Sequence, residues 1–231
     1  MSQSTEPPAT ARSWSLLGAV ILIANAAQWI IAEAITASAW TNPRYDYATN
    51  YISDLGVPDC GTQFQGRTLC SPLNTLMNTS FAAEGILFAV GILLLARALR
   101  PGVRRVVTVL AIAHGAGMLL VGFFHGTADG PDVGLLLHVG GAGIGILSAN
   151  VLAIIAGSLR SIRLPRTYRV FSIAIGILGI AGIALVGVSA STAGIFERSS
   201  VYSWLLWSVL TGILVLVRKP RKAPTASSIE A

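Results

Sequence analysis

Six long apolar runs separated by short polar stretches organise this chain. They lie at about 14–38, 73–97, 106–124, 134–159, 170–191 and 201–217. A hydrocarbon core roughly 30 Å thick needs about 20 apolar residues per helix, with about 17 as the lower bound, so every run is long enough to span it. Irregular backbone facing lipid would leave its amides unpaired, so each run must be helical. The pattern predicts an all-α, polytopic membrane helix bundle of six transmembrane helices. The first run fits a retained helix better than a cleavable signal peptide: it is long and contains Glu33, although the Ala37-Ser38-Ala39 triplet resembles a cleavage site.

Orientation follows from the basic residues, because positive charge beside a span resists translocation. With the N-terminus inside, thirteen of the sixteen Lys and Arg residues fall in cytoplasmic pieces. These are Arg12, the Arg97–Arg105 and Arg160–Arg169 clusters, and Arg218 to Lys222. The outer pieces keep only Arg44, Arg67 and Arg198, and they collect Asp46, Asp54, Asp59, Asp129, Asp132 and Glu197. Both termini are therefore expected in the cytoplasm. Residues 1–13 read as a disordered tail, 14–217 as the transmembrane domain with an outer loop at 39–72, and 218–231 as a basic tail.

Composition sharpens this reading. Hydrophobic residues make up 53% of the chain and charged residues 11%, against about a quarter charged in soluble domains. The net charge of +6 does not point to nucleic acid, because the basic residues cluster at span ends rather than in a stripe interleaved with aromatics. No phosphate loop, nucleophile elbow or paired zinc-ligand spacing occurs, so no cofactor is specified.

The outer loop holds Cys60 and Cys70, with nine residues between them and Pro58 and Gly61 nearby. A disulfide closing a short loop in an oxidising compartment is the expected state, and two free thiols on a mobile loop are the alternative. Gly141 and Gly145, and Gly176, Gly179 and Gly182, recur at spacings that suit close helix contact.

Ionisable groups inside spans are costly and are functional candidates by default. Glu33 lies in the outer third of the first helix, Glu84 near the middle of the second and His114 within the third. His138 lies near the outer end of the fourth, on the face that carries Gly141, Gly145 and Ser148, and so should point into the bundle. His125 caps the outer end of the third helix, eleven residues and three turns after His114. For Glu84 the favoured structural reading is a bond to Ser80, one turn earlier, or to a neighbouring helix. The outer-loop hexapeptide Tyr51-Ile52-Ser53-Asp54-Leu55-Gly56 combines a hydroxyl, a carboxylate and a glycine, and taken alone it reads equally as a helix cap or turn.

With that hexapeptide, Ser71-Pro72 opening the second span, Val121-Gly122-Phe123-Phe124 closing the third, and His138 followed by Gly141-Ala142, the chain resembles the bacterial and archaeal membrane family called domain of unknown function 998. The resemblance covers roughly residues 14–217. It implies a six-helix membrane protein of prokaryotic plasma membranes with no established activity. The order of the Ile-Ser-Asp and His/Gly-Ala elements is remotely similar to the Frag-like and damage-regulated autophagy modulator proteins. The Cys60/Cys70 insertion and His125-Gly126 depart from the family pattern.

Three functional readings follow. The first is a binding protein whose polar outer mouth, lined by Ser53, Asp54, His138, Arg44 and Glu33, holds a lipid headgroup, small molecule or partner. The second is an intramembrane hydrolase, with His125, His138, Asp54 and Asp129 or Asp132 as candidate metal ligands. The third is a small transporter with Glu33, Glu84 and His114 along a proton or ion path. The sequence specifies neither enzymatic activity nor oligomeric state.

Overall fold

In a computed structural model the chain is described at residues 9–58, 60–64, 66–125, 133–160 and 162–218. Asp59, Asp129, Asp132, Lys219, Arg221, Lys222 and the first eight residues of the N-terminal tail, all named above, lie outside the described residues. Six α-helices dominate: α1 Ala9–Ala39, α2 Asn74–Ala96, α3 Pro101–Phe123, α4 Val133–Ser158, α5 Arg166–Leu185 and α6 Ala193–Val217. All six are long and apolar enough to cross a membrane. Helix α6 starts eight residues before its apolar run, so that Glu197 and Arg198 lie on helix rather than in a loop.

Each helix packs against the next, α1 closes the ring against α6, and α6 also touches α4. This leaves α5 at the periphery, packed mainly on α4 and α6. Glycines set the spacing at these seams. A Cβ at Gly85 of α2 would lie 2.8 Å from the Gly115 carbonyl of α3, and one at Gly212 of α6 would lie 2.7 Å from the Ala19 carbonyl of α1. Gly141 on α4 faces Gly117 of α3, Gly176 and Gly179 face Asn150 of α4, and Gly182 faces α6. In hydrocarbon, where lipid is as apolar as leucine, such close backbone approach supplies the contact that holds helices together. Outward positions carry Ile31, Ile86, Val109, Val139, Ile177 and Ile213, all exposed. Around a whole bundle these would be a liability in water, but they suit a hydrocarbon solvent.

The loop between α1 and α2 folds over one end of the bundle, here called the capped end. It contains a 3-10 turn, Ser53–Gly56, and an antiparallel hairpin of β1 (Thr62–Phe64) and β2 (Arg67–Leu69). The hairpin turns through Gly66 at φ +78°, a left-handed conformation that glycine adopts without steric cost. Cys60 and Cys70 are joined by a disulfide across the hairpin base.

Candidate functional site

The cap is fastened by one buried carboxylate. Asp54 sits in the 3-10 turn, where it accepts bonds from the Tyr51 backbone N–H at 3.0 Å and the Asn50 amide at 3.3 Å. Arg67 reaches it from β2 with two parallel bonds, Nε to Oδ2 at 2.8 Å and a terminal nitrogen to Oδ1 at 3.2 Å. This is the fork geometry for which guanidinium is shaped. The guanidinium also lies 4.1 Å from the centre of the Tyr51 ring. Burial alone would lower the Arg67 pKa, but the bond to Asp54 and its charge outweigh burial and raise it. Burial pushes the Tyr51 phenol upward. Ser71 Oγ donates to the Leu55 carbonyl at 2.6 Å, and the Asn78 amide to the Gly56 carbonyl at 2.8 Å, so the turn is tied to the start of α2.

A second cation, Arg198 of α6, ties the loop to two helices. Its guanidinium pairs with Glu33 of α1 at 3.0 Å. It also donates to the carbonyls of Tyr47 at 2.8 Å, Asn50 at 2.9 Å and Gly194 at 3.2 Å, and to the Tyr45 hydroxyl. All of its N–H groups are therefore engaged. Glu33 accepts further bonds from Trp29 Nε1 at 3.3 Å and the Tyr202 hydroxyl at 3.0 Å. One turn from Gly194, the neighbouring Glu197 accepts the Ile52 backbone N–H.

Beneath the cap lies a cavity of about 30 Å³ whose polar walls are Ser53, His138 and Glu197 and whose floor includes Trp29, Phe81 and Trp204. Such a volume holds a water or two, not an organic ligand. His138 Nδ1 donates to the Phe124 carbonyl at 2.6 Å, so its tautomer is set by the end of α3.

Deeper in the bundle, Glu84 and His114 form a separate, fully buried node. His114 Nδ1 donates to the Gly145 carbonyl at 2.8 Å, and Nε2 meets Glu84 Oε2 at 2.9 Å. Because a carbonyl only accepts, Nδ1 carries a proton. The Nε2–carboxylate bond requires a second proton between those groups, so the pair is neutral as a whole whichever atom holds it. Trp204 Nε1 at 3.2 Å and the Asn25 amide at 3.3 Å also donate to Glu84. Of the two partners expected for Glu84, Ser80 or a neighbouring helix, the structure has the second, and Ser80 bonds Gln28 at 2.9 Å. His114 wins because α3 packs glycine against glycine on α2 at Gly115 and Gly85, which brings a charge-capable partner within reach.

On the outside of the bundle at the capped end, a groove of about 500 Å³ runs between α5 and α6. Ile175, Leu178, Ile195 and Leu206 give it apolar sides. Tyr47, Arg198, Ser199, Tyr202 and Ser203 supply its polar part.

The structure therefore brings Ser53, Asp54, Glu33 and His138 to the capped end and leaves Glu84 in its own node. Arg44 is exposed in a tight turn, where its backbone pairs with Thr41, and does not join the cluster. His125 lies two residues beyond the end of α3, half-buried, so it shares no helical face with His114. Among the described residues no three His, Cys, Asp or Glu side chains gather as metal ligands. The residues that organise the capped end, Arg67, Glu197 and Arg198, read as loop charges in the sequence. The one available signal was Glu197-Arg198 just ahead of an apolar run, one turn after Gly194.

No curated protein and no solved structure matches the chain. Residues 14–214 match the family described as "Protein of unknown function (DUF998)", and this six-helix, multi-pass membrane protein belongs to that family.

Proposed function

We propose that the protein binds a membrane lipid in the α5–α6 groove, with both termini cytoplasmic and the capped end on the opposite side of a prokaryotic plasma membrane. The observation that carries this reading is the groove itself. It opens on the outer surface of the bundle, its walls are apolar, and its polar groups are confined to one face of α6 and the loop. From Ile195 to Leu206 it runs about 16 Å along α6 at 1.5 Å per residue. That is about half of a 30 Å hydrocarbon core, the depth of one leaflet. The neutral Glu84–His114 pair and the closed Asp54–Arg67 and Glu33–Arg198 pairs act as internal supports in this reading. The orientation rests on the charge bias of the sequence.

Purification in mild detergent followed by native mass spectrometry tests it, with wild type compared to Leu178→Trp. Leu178 is half exposed on α5, so a larger side chain fills the groove without entering the core. The expected result is a lipid adduct on the wild type that is lost from the variant. An adduct pattern unchanged by the substitution would falsify the proposal.

A further inference from the structure

The hydrogen-bond inventory of the groove defines the chemistry of the head it accepts, an inference that rests on the groove being a lipid site. Ser199 Oγ donates its proton to the Ile195 carbonyl at 2.8 Å, and Ser203 Oγ donates to the Ser199 carbonyl at 2.6 Å. The Tyr202 hydroxyl donates to Glu33 at 3.0 Å. Each hydroxyl has therefore committed its only proton to the protein and keeps lone pairs to offer. Arg198, the cation in the groove lining, has no N–H left: it is shared among Glu33, three backbone carbonyls and the Tyr45 hydroxyl. A phosphate entering here would meet acceptors and a saturated guanidinium. It would give up its hydration for almost no new donors, a costly exchange. Tyr47 is the exception at the rim: its phenol, half exposed, is able to donate as well as accept.

A head that suits this lining brings several donors and tolerates one acceptor position, which is the pattern of an alcohol. An ammonium brings donors too, but in a zwitterionic phospholipid it arrives beside a phosphate, for which this lining has almost no free donors. We propose that the α5–α6 groove selects a diacyl lipid with an uncharged, hydroxyl-bearing head, such as a diacylglycerol or a monoglycosyl diacylglycerol, over lipids that present a phosphate.

The test is competitive native mass spectrometry on the full chain in detergent, with equimolar diacylglycerol, monoglycosyl diacylglycerol, phosphatidylcholine and phosphatidic acid of identical acyl chains. The expected preference for the two hydroxylated lipids is roughly tenfold, the effect of one to two net neutral hydrogen bonds. Ser199→Ala/Ser203→Ala removes two acceptors whose protons serve only their own helix. It is expected to bring the preference close to one while leaving phosphatidylcholine binding unchanged. Leu178→Trp separates the two proposals. If it removes no lipid, the groove is not the site and both fail. If it removes every lipid but wild type shows no preference among heads, only the head selectivity fails. Tighter binding of phosphatidic acid than of diacylglycerol overturns it outright.

Discussion

Removing Arg198 tests how the capped end is held. Arg198→Met leaves Glu33 buried with the Trp29 and Tyr202 donors but without its cation, and it takes donors from the carbonyls of Tyr47, Asn50 and Gly194. Breaking one side of a buried ion pair costs about 3–5 kcal/mol, because the remaining charge is uncompensated. For a chain of this length that corresponds to a fall of about 6–20 °C in melting temperature, at about 2–4 °C per kcal/mol. The assay is thermal unfolding of detergent-solubilised protein followed by tryptophan emission, which Trp29 and Trp204 report from beside the two carboxylates. Arg198→Lys should fall between wild type and methionine, since one ammonium cannot span both the carboxylate and the loop carbonyls. Glu33→Gln/Arg198→Met should recover part of the loss, because no charge is then left unpaired. A methionine variant within about 1 kcal/mol of wild type, or a double variant no better than the single one, would refute the keystone role.

Three further outcomes follow from the same geometry. Gly85→Val places a side chain against the Gly115 carbonyl and Met118 Cβ, each 2.8 Å from the added carbon; overpacking of this kind costs about 1–3 kcal/mol or more, and thermal unfolding should show it while Gly140→Ala, in open space, shows nothing. Reducing the Cys60–Cys70 disulfide, which spans a sequence separation of 10, should release about 2.5–3 kcal/mol of loop-closure stabilisation on the chain-entropy account, seen as faster amide exchange in the hairpin with the helices unaffected. Burial, reinforced by Glu33 and opposed by Arg198, pushes the Tyr45 phenol well above its ordinary value of 10.0. A raised folded value means that its contribution is fully present below the unfolded pKa and is lost as pH rises through the folded one. The unfolding midpoint should thus be level from neutral pH toward the ordinary phenol value and fall beyond it, less steeply in Tyr45→Phe.

The helices and their seams were legible in the sequence because both follow from local rules. Apolar run length identifies a helix of membrane-crossing length, and glycines three or four residues apart share a face, as Gly141 and Gly145 do against α3. His138 was legible for the same reason: it shares that face, and it does turn inward. The disulfide was legible from two cysteines in one short loop. The partners of the charged residues were not. Glu84 and His114 are 30 positions apart, and Glu33 and Arg198 are 165 apart. A single sequence gives the depth of such residues along their helices but not which neighbour each helix faces. Counting loop charges placed Arg67 and Arg198 in the outer pieces without giving them partners, and both are buried counter-ions. The transporter reading required Glu33, Glu84 and His114 along one path. The structure joins Glu84 to His114 but sets Glu33 apart behind Trp29 and Trp204, whose rings meet edge to face at 6.3 Å. Each indole donates to a different carboxylate, Trp29 to Glu33 and Trp204 to Glu84, and an indole that only donates cannot relay a proton between them.

The reach of Arg198 and Glu197 back to the first loop has a bearing on the order of biogenesis. The cap lies between α1 and α2, yet two of the groups that secure it, Glu197 and Arg198, belong to α6, which is made only after the four intervening helices and loops. Until α6 inserts, Glu33 has no cation, and the carbonyls of Tyr47 and Asn50 have no guanidinium to receive. The α1–α2 loop therefore waits through the synthesis of α2 to α5 for partners that only α6 supplies. A chain arrested before α6 would hold Glu33 without the cation that it pairs with in the complete bundle, and an unpaired acid in a span is costly.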